Sequence, residues 1–179
     1  MVRRFESLRI ALFGLGAAVC YGILQDQVTA RICPEYFTVG HGDLGMPSVF
    51  HNPSPTILAF AWGVVATWWV GLPLGIALSV CARAGGWPKL AASDLLRPIL
   101  VLLAVMAVGA VSGGVFAYHV ESVHRFYPSG LRPESQLRFT VDRGAHIAAY
   151  EVGLLGSLVL CGSPLLRRRR LARAEGKRS

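Results

Sequence analysis

The sequence predicts an all-α integral membrane protein: a four-transmembrane-helix bundle with both termini cytoplasmic and a polar outer cap from the 1–2 and 3–4 loops. Three observations carry that reading. The 179 residues are 53% hydrophobic and only 16% charged, with a mean hydropathy of +0.48, well outside the range of an ordinary soluble domain. Four apolar runs approach the roughly 20 residues that a helix needs to cross a ~30 Å hydrocarbon core. The Lys and Arg residues are also distributed unevenly about those runs. One domain is expected over 1–179, with spans near 8–27, 56–82, 98–120 and 144–166 and a basic cytoplasmic tail at 167–179.

Span one is built on Ile10 to Leu24, which carries no charge. At ~1.5 Å per residue its fifteen residues cover only ~22 Å. Arg9 is therefore expected to snorkel, and Gln25, Asp26 and Gln27 to continue the helix into the outer interface. "MVRRFESLR" before an apolar run also has the look of a secretory signal, but no small-x-small cleavage site precedes Gln25, so the span is expected to be retained. Gly14, Ala18 and Gly22 recur every four residues, as helix packing requires. The helix should end near Cys33-Pro34, with "EYFTVGHGD" lying on the bundle.

Span two, Thr56 to Ala82, contains "GLPLG", where Pro73 removes a helical hydrogen bond and a kink is expected. Span three lies between Arg97 and His119, and span four between Arg143 and Arg167. Thirteen Lys or Arg residues flank the ends predicted to face the cytoplasm, against five (Arg31, Arg125, Arg132, Arg138 and Arg143) in the two outer loops. The tail "RRRRLARAEGKRS" reads as a topology signal and a site for anionic lipid at the bilayer surface. No aromatic interleaving accompanies the basic residues, so nucleic acid is not an expected partner, whereas a membrane-protein partner is compatible with the pattern.

"YGILQDQVTARICPEYFT", "TWW" at Thr67 to Trp69 and "AHIAAY" at Ala145 to Tyr150 carry a resemblance. Together they resemble a family of small bacterial multi-pass inner-membrane proteins without an assigned activity, across most of the chain. The resemblance implies a bacterial inner-membrane setting and nothing chemical.

Ionisable residues near the outer side define the possible chemistry. Asp142, His146 and Tyr150 fall on one face of span four, above Gly153 and Ser157 on an expected packed seam. The plain alternative is that Asp142 caps the helix or pairs with Arg143 while His146 bonds a loop. Glu151 lies inside the span, where an ionised carboxylate costs at least ~2.5 kcal/mol, so it is expected to be protonated, paired or beside a wet cavity. At ~100° per residue it points ~140° away from His146, toward Leu155 and Leu158. Glu121 and His124, at i and i+3, have the spacing of a carboxylate and an imidazole on one helix turn. With Asp142 and His146 from span four and Glu35 and His41 from the first outer loop they could hold a divalent metal, although one Glu-x-x-His is an incomplete ligand set.

Two functions follow. The first is a non-catalytic accessory or interaction protein with a polar outer cap. The alternative is a membrane-embedded metal, proton or small-ligand site at the outer end of spans three and four. Paired-thiol chemistry is disfavoured, because only Cys33 faces the outer side and no Cys-x-x-Cys occurs. Walker and dinucleotide fingerprints are also missing.

Overall fold

The computed structural model describes residues 2–41, 47–120 and 127–176, with side chains from residue 5 onward. Those residues contain helices and no strands. The long helices are α1 (Val2–Ile32), α3 (Pro55–Arg83), α4 (Ser93–Val120) and α5 (Gln136–Gly176), with the short α2 (Pro34–Thr38) between the first two. All four long helices are apolar and long enough to cross a membrane. The chain is a multi-pass membrane protein by that measure.

Local chemistry explains the boundaries. The residue before a proline avoids the helical region, and Cys33 sits at φ −146°, ψ 87°, ending α1 and letting Pro34 start α2. Ser54 and Pro55 open α3 in the same way. Helix α4 begins at Ser93, five residues before the Pro98 that opens its apolar run, and the Asp94 carboxylate accepts the Ala91 N–H at 2.9 Å. Helix α3 runs unbroken through Pro73. Helix α5 starts at Gln136 and carries the basic segment as helix as far as Gly176, so 167–176 is no loose tail.

The helices associate as two tight pairs, α1 with α3 and α4 with α5, and the pairs touch each other far less. Glycine makes the tight contacts possible, since without Cβ atoms backbones approach within a packing distance that lipid cannot match. A Cβ on Gly14 would lie 2.7 Å from Gly75 Cα, and one on Gly22 would lie 2.7 Å from the Gly63 carbonyl oxygen. The Gly14, Ala18 and Gly22 stripe is therefore the α1 side of that seam, with Ala18 against Gly71. In the second pair, Gly113 and Gly144 meet backbone to backbone, where a Cβ on either would sit 2.6 or 2.7 Å from the other's carbonyl oxygen.

Gly153, expected on the packed seam of span four, is differently placed. The nearest atoms to its Cβ position all belong to the flexible Met106 side chain. The backbone seam passes through Gly144 instead, because α5 turns its Gly153 side toward the space between the two pairs.

Both described chain ends lie at one end of the bundle, where Ser79 donates to the Ser7 carbonyl at 3.0 Å and Arg167 pairs with Asp94 at 2.9 Å. Arg168, within the basic run read as a lipid-binding flank, is 1% exposed there. Its guanidinium donates to the carbonyls of Cys81 (2.7 Å), Ala84 (2.5 Å), Trp87 (3.3 Å) and Pro88 (2.7 Å). Helix α3 ends at Arg83, and Gly85 turns the chain at φ +76°, presenting those carbonyls together. A cation at a helix C-terminus also complements the helix dipole. For Arg168 alone, the expectation of a lipid-facing charge is corrected.

Candidate polar cavity between the helix pairs

At the opposite end, α2 lies across the bundle and its Phe37 packs with Ala30, Phe50, Leu58 and Trp62. Beneath it, between the two helix pairs, is a cavity of about 440 Å³ lined mostly by apolar side chains. It reaches from Asp26 and His41 down to Leu78 and Cys161. Exposed Trp69, Tyr150 and Leu154 belong to its wall, so it opens sideways between α3 and α5 onto the apolar flank.

The polar head of the cavity is organised around His146. Its Nδ1 lies 2.8 Å from the Asp142 backbone oxygen, which can only accept, so Nδ1 carries a hydrogen. Its Nε2 lies 3.1 Å from Asp26 Oδ1. That contact holds one proton: a protonated Asp26 donates to neutral imidazole, or imidazolium donates to carboxylate. Both residues are buried, at 8% and 5% exposure. Tyr36 stacks on His146 with centroids 4.5 Å apart, and His41 lies against Trp62 at 4.3 Å.

Several polar atoms around this head have no partner among the described residues. They are Tyr21 Oη, Gln25 Oε1, Trp62 Nε1 and both carboxyl oxygens of Asp142. The first three residues line the cavity; Asp142, fully buried, lies beside it under the α5 turn that bonds His146. A buried polar group without a partner costs ~1–3 kcal/mol, so the three in the cavity wall leave hydrogen-bonding capacity there unused.

The structure separates the sequence-derived site residues. His146 and His41 share the cavity, with Asp142 next to it. Asp142 neither caps α5 nor pairs with Arg143, because the helix begins six residues earlier and buries it. Glu35 is occupied elsewhere, accepting from Ser135 Oγ at 2.9 Å and from the Cys33 thiol at 3.6 Å. Burial raises the Glu35 carboxyl, but hydrogen bonds from its own backbone N–H, Ser135 and Cys33 outweigh that and hold it below its ordinary value of 4.5. Burial also pushes the Cys33 thiol up to about 12 and lowers His41 below its ordinary 6.5, against the opposing hydrogen bond to the Tyr36 carbonyl.

Glu121 and His124 lie outside the described residues. Among the described residues no three His, Cys, Asp or Glu side chains converge as metal ligands. Both ring nitrogens of His146 are already engaged, so it offers no free lone pair to a metal in this arrangement. Glu151 is exposed on the outer flank of α5, beside Leu154, Leu155 and Leu158, away from His146 as helical geometry requires.

Sequence reasoning missed Asp26, Tyr21, Gln25 and Trp62. A signal for Asp26 existed, because it is the next member of the four-residue series Gly14, Ala18, Gly22 and so falls on the packed face. It also missed that the Cys161 thiol on α5 lies beside that of Cys81 on α3, which the approach of the two pairs brings together without any motif. Comparison with family profiles, with curated proteins and with solved structures gave no match to this chain.

Proposed function

We propose that the protein is a bacterial inner-membrane receptor for a small lipid-soluble ligand, which enters sideways from the bilayer and docks its head beside Asp26 and His146. The observation that carries this reading is the coincidence of an apolar cavity of about 440 Å³ with unpaired polar atoms of Tyr21, Gln25 and Trp62 at one end. That volume falls in the ~300–1,000 Å³ range of small-molecule sites, and apolar walls with a few placed polar groups are their usual make-up. The test is native mass spectrometry of the detergent-extracted protein beside Gly153→Leu, whose new side chain displaces the end of Met106 and fills the cavity. A small-molecule adduct on wild type, lost in the variant, supports the reading. A folded wild type that takes up nothing from a total membrane lipid extract defeats it.

The proposed orientation places both termini in the cytoplasm and the cavity head toward the outside, supported by the thirteen-to-five distribution of Lys and Arg. Reporters after Ser179 and near Lys89 should both read cytoplasmic. The exposed members of the basic segment, such as Arg169 and Arg170, remain proposed contacts for anionic lipid.

A second reading, an accessory protein that binds another membrane protein, is favoured by Glu151. An ionisable side chain on a flank of exposed leucines is a costly neighbour for lipid and a natural partner for a polar group on another helix. Crosslinking to a second polypeptide from a photoreactive residue at the exposed position 155, lost when Glu151→Leu is added, would support it.

A further inference from the structure

We propose that the ligand is a quinone, or its quinol, on an isoprenoid or similar apolar tail, its ring oxygen held by hydrogen bonds without an ion pair. This rests on the lipid-ligand reading above and names its chemical class.

The head of the cavity selects a neutral group. Among the described residues no Lys or Arg lines it, so a phosphate or sulfate head would bury its charge without a counter-ion there. The Asp26–His146 pair holds a single proton between them and has no net charge in either form, so it does not call for a cationic head. The unpaired Trp62 N–H, which can only donate, also disfavours an ammonium group there.

The unpaired atoms specify a group that both accepts and donates. Trp62 Nε1 donates, Tyr21 Oη can do either, and Gln25 Oε1 accepts. A ring oxygen that is a carbonyl in one state and a hydroxyl in the other meets that set. As a carbonyl it accepts from Trp62 or Tyr21; as a hydroxyl it donates to Gln25. The head is also walled by the aromatic rings of Tyr21, Tyr36, Phe37 and Trp62. Such faces suit a planar ring.

The remaining cavity suits the tail. From Asp26 to Gly14, both in its wall, α1 advances roughly 18 Å at ~1.5 Å per residue. Below Tyr21 the wall is made of residues such as Leu74, Leu102, Met106 and Leu160. The lateral opening beside Trp69 and Leu154 gives a chain that never leaves the bilayer a way in.

The experiment is equilibrium binding to the delipidated, detergent-solubilised full chain of three probes: a decyl-substituted benzoquinone, its quinol, and farnesol. Farnesol has an apolar tail and a hydroxyl but no ring. Both ring probes should bind at least tenfold more tightly than farnesol. Trp62→Phe should weaken the quinone about tenfold, and Gln25→Leu should weaken the quinol more than the quinone. Tyr21→Phe offers the same quinone test if Trp62→Phe does not fold. The exposed-site control Leu155→Ala should bind as wild type does. Farnesol binding as tightly as the quinone, or ring binding indifferent to Trp62, Tyr21 and Gln25, overturns the quinone assignment and leaves a lipid-binding cavity standing. No binding of any probe to a folded, monodisperse chain overturns both.

Discussion

The two ends of the bundle both bury ionisable groups, and they treat them in opposite ways. At the end holding the termini, Arg168 is 1% exposed and its guanidinium reaches four carbonyl oxygens contributed by the end of α3 and the turn after it. At the other end, the Asp26–His146 pair is surrounded by unpaired atoms of Tyr21, Gln25, Trp62 and Asp142, next to a cavity. A saturated network fixes one geometry and leaves nothing for a ligand. An unsaturated one beside empty space is less stable than it could be, which is the usual condition of a binding site. The comparison separates a charge with every partner in place from charges set among unpaired atoms.

The sharpest way to break it is at Arg168. Arg168→Met should remove all four hydrogen bonds and leave buried carbonyls exposed to nothing, costing about 3–5 kcal/mol. In thermal unfolding in detergent that corresponds to roughly 10 °C. Arg169→Met, one residue on and exposed, should change little. Equal effects of the two would mean that the run acts only as a block of surface charge.

Next in size is the backbone seam. Gly144→Val should cost about 1–3 kcal/mol, because a Cβ there meets the Gly113 carbonyl oxygen at 2.7 Å, with no flexible side chain to yield. Gly153→Leu should cost less, since Met106 can move, and the 65%-exposed Leu155→Ala should be nearly silent. A melting temperature lower for Gly153→Leu than for Gly144→Val would put the close approach where the four-residue spacing alone had placed it.

How far these features were legible in the sequence follows from which interactions leave a periodic trace. Hydropathy sets the spans because hydrocarbon demands it of every residue, and the Gly14, Ala18, Gly22 stripe is readable because one seam repeats each turn. The polar end was half legible. His146 stood out as a polar group within an apolar run, Asp142 as an acid on the same helical face just before it, and His41 as a loop imidazole, whereas Asp26 sat where the hydropathy of span one fades and so read as an interfacial residue. Trp62 is silent in sequence, since an apolar ring within a span gives no hint that its N–H lacks a partner. Arg168 is hidden for another reason. Its partners are carbonyls, which every residue owns, and only the turn after α3 gathers them.

A pH titration sharpens the polar end. His41 faces Asp26 and His146 across the cavity head, and burial holds its imidazole below the ordinary 6.5. Because the unfolded chain takes up that proton first, the stability from neutral His41 is complete above ~6.5 and is lost as pH falls below that value. Glu35, whose carboxyl is held below 4.5, has a lower window: its contribution is present above 4.5 and disappears as pH falls through the depressed value. His41→Phe should therefore flatten the decline that starts near 6.5 and leave the one below 4.5, and Ser135→Ala should shrink only the second. A single transition unaffected by either variant would show that neither group is tied to folding as described.

The smallest effect is the most discriminating, because its sign differs from that of ordinary core mutations. Tyr21 carries a buried hydroxyl without a protein partner, while its ring packs against the small cluster of Ala110, Ala145 and Ala149. Tyr21→Phe keeps the ring and removes the unpaired oxygen, so the ligand-free protein should gain up to about 1 kcal/mol, a rise of a few degrees. Adding a ligand that uses the hydroxyl should reverse the order, because a ligand at free concentration L stabilises the folded form by RT ln(1 + L/Kd) and wild type has the lower Kd. That crossing of melting temperatures is what an end kept unsaturated for a ligand predicts. If Tyr21→Phe is instead destabilising without ligand, the hydroxyl is already satisfied, and the contrast between the two ends loses one of the atoms on which it stands.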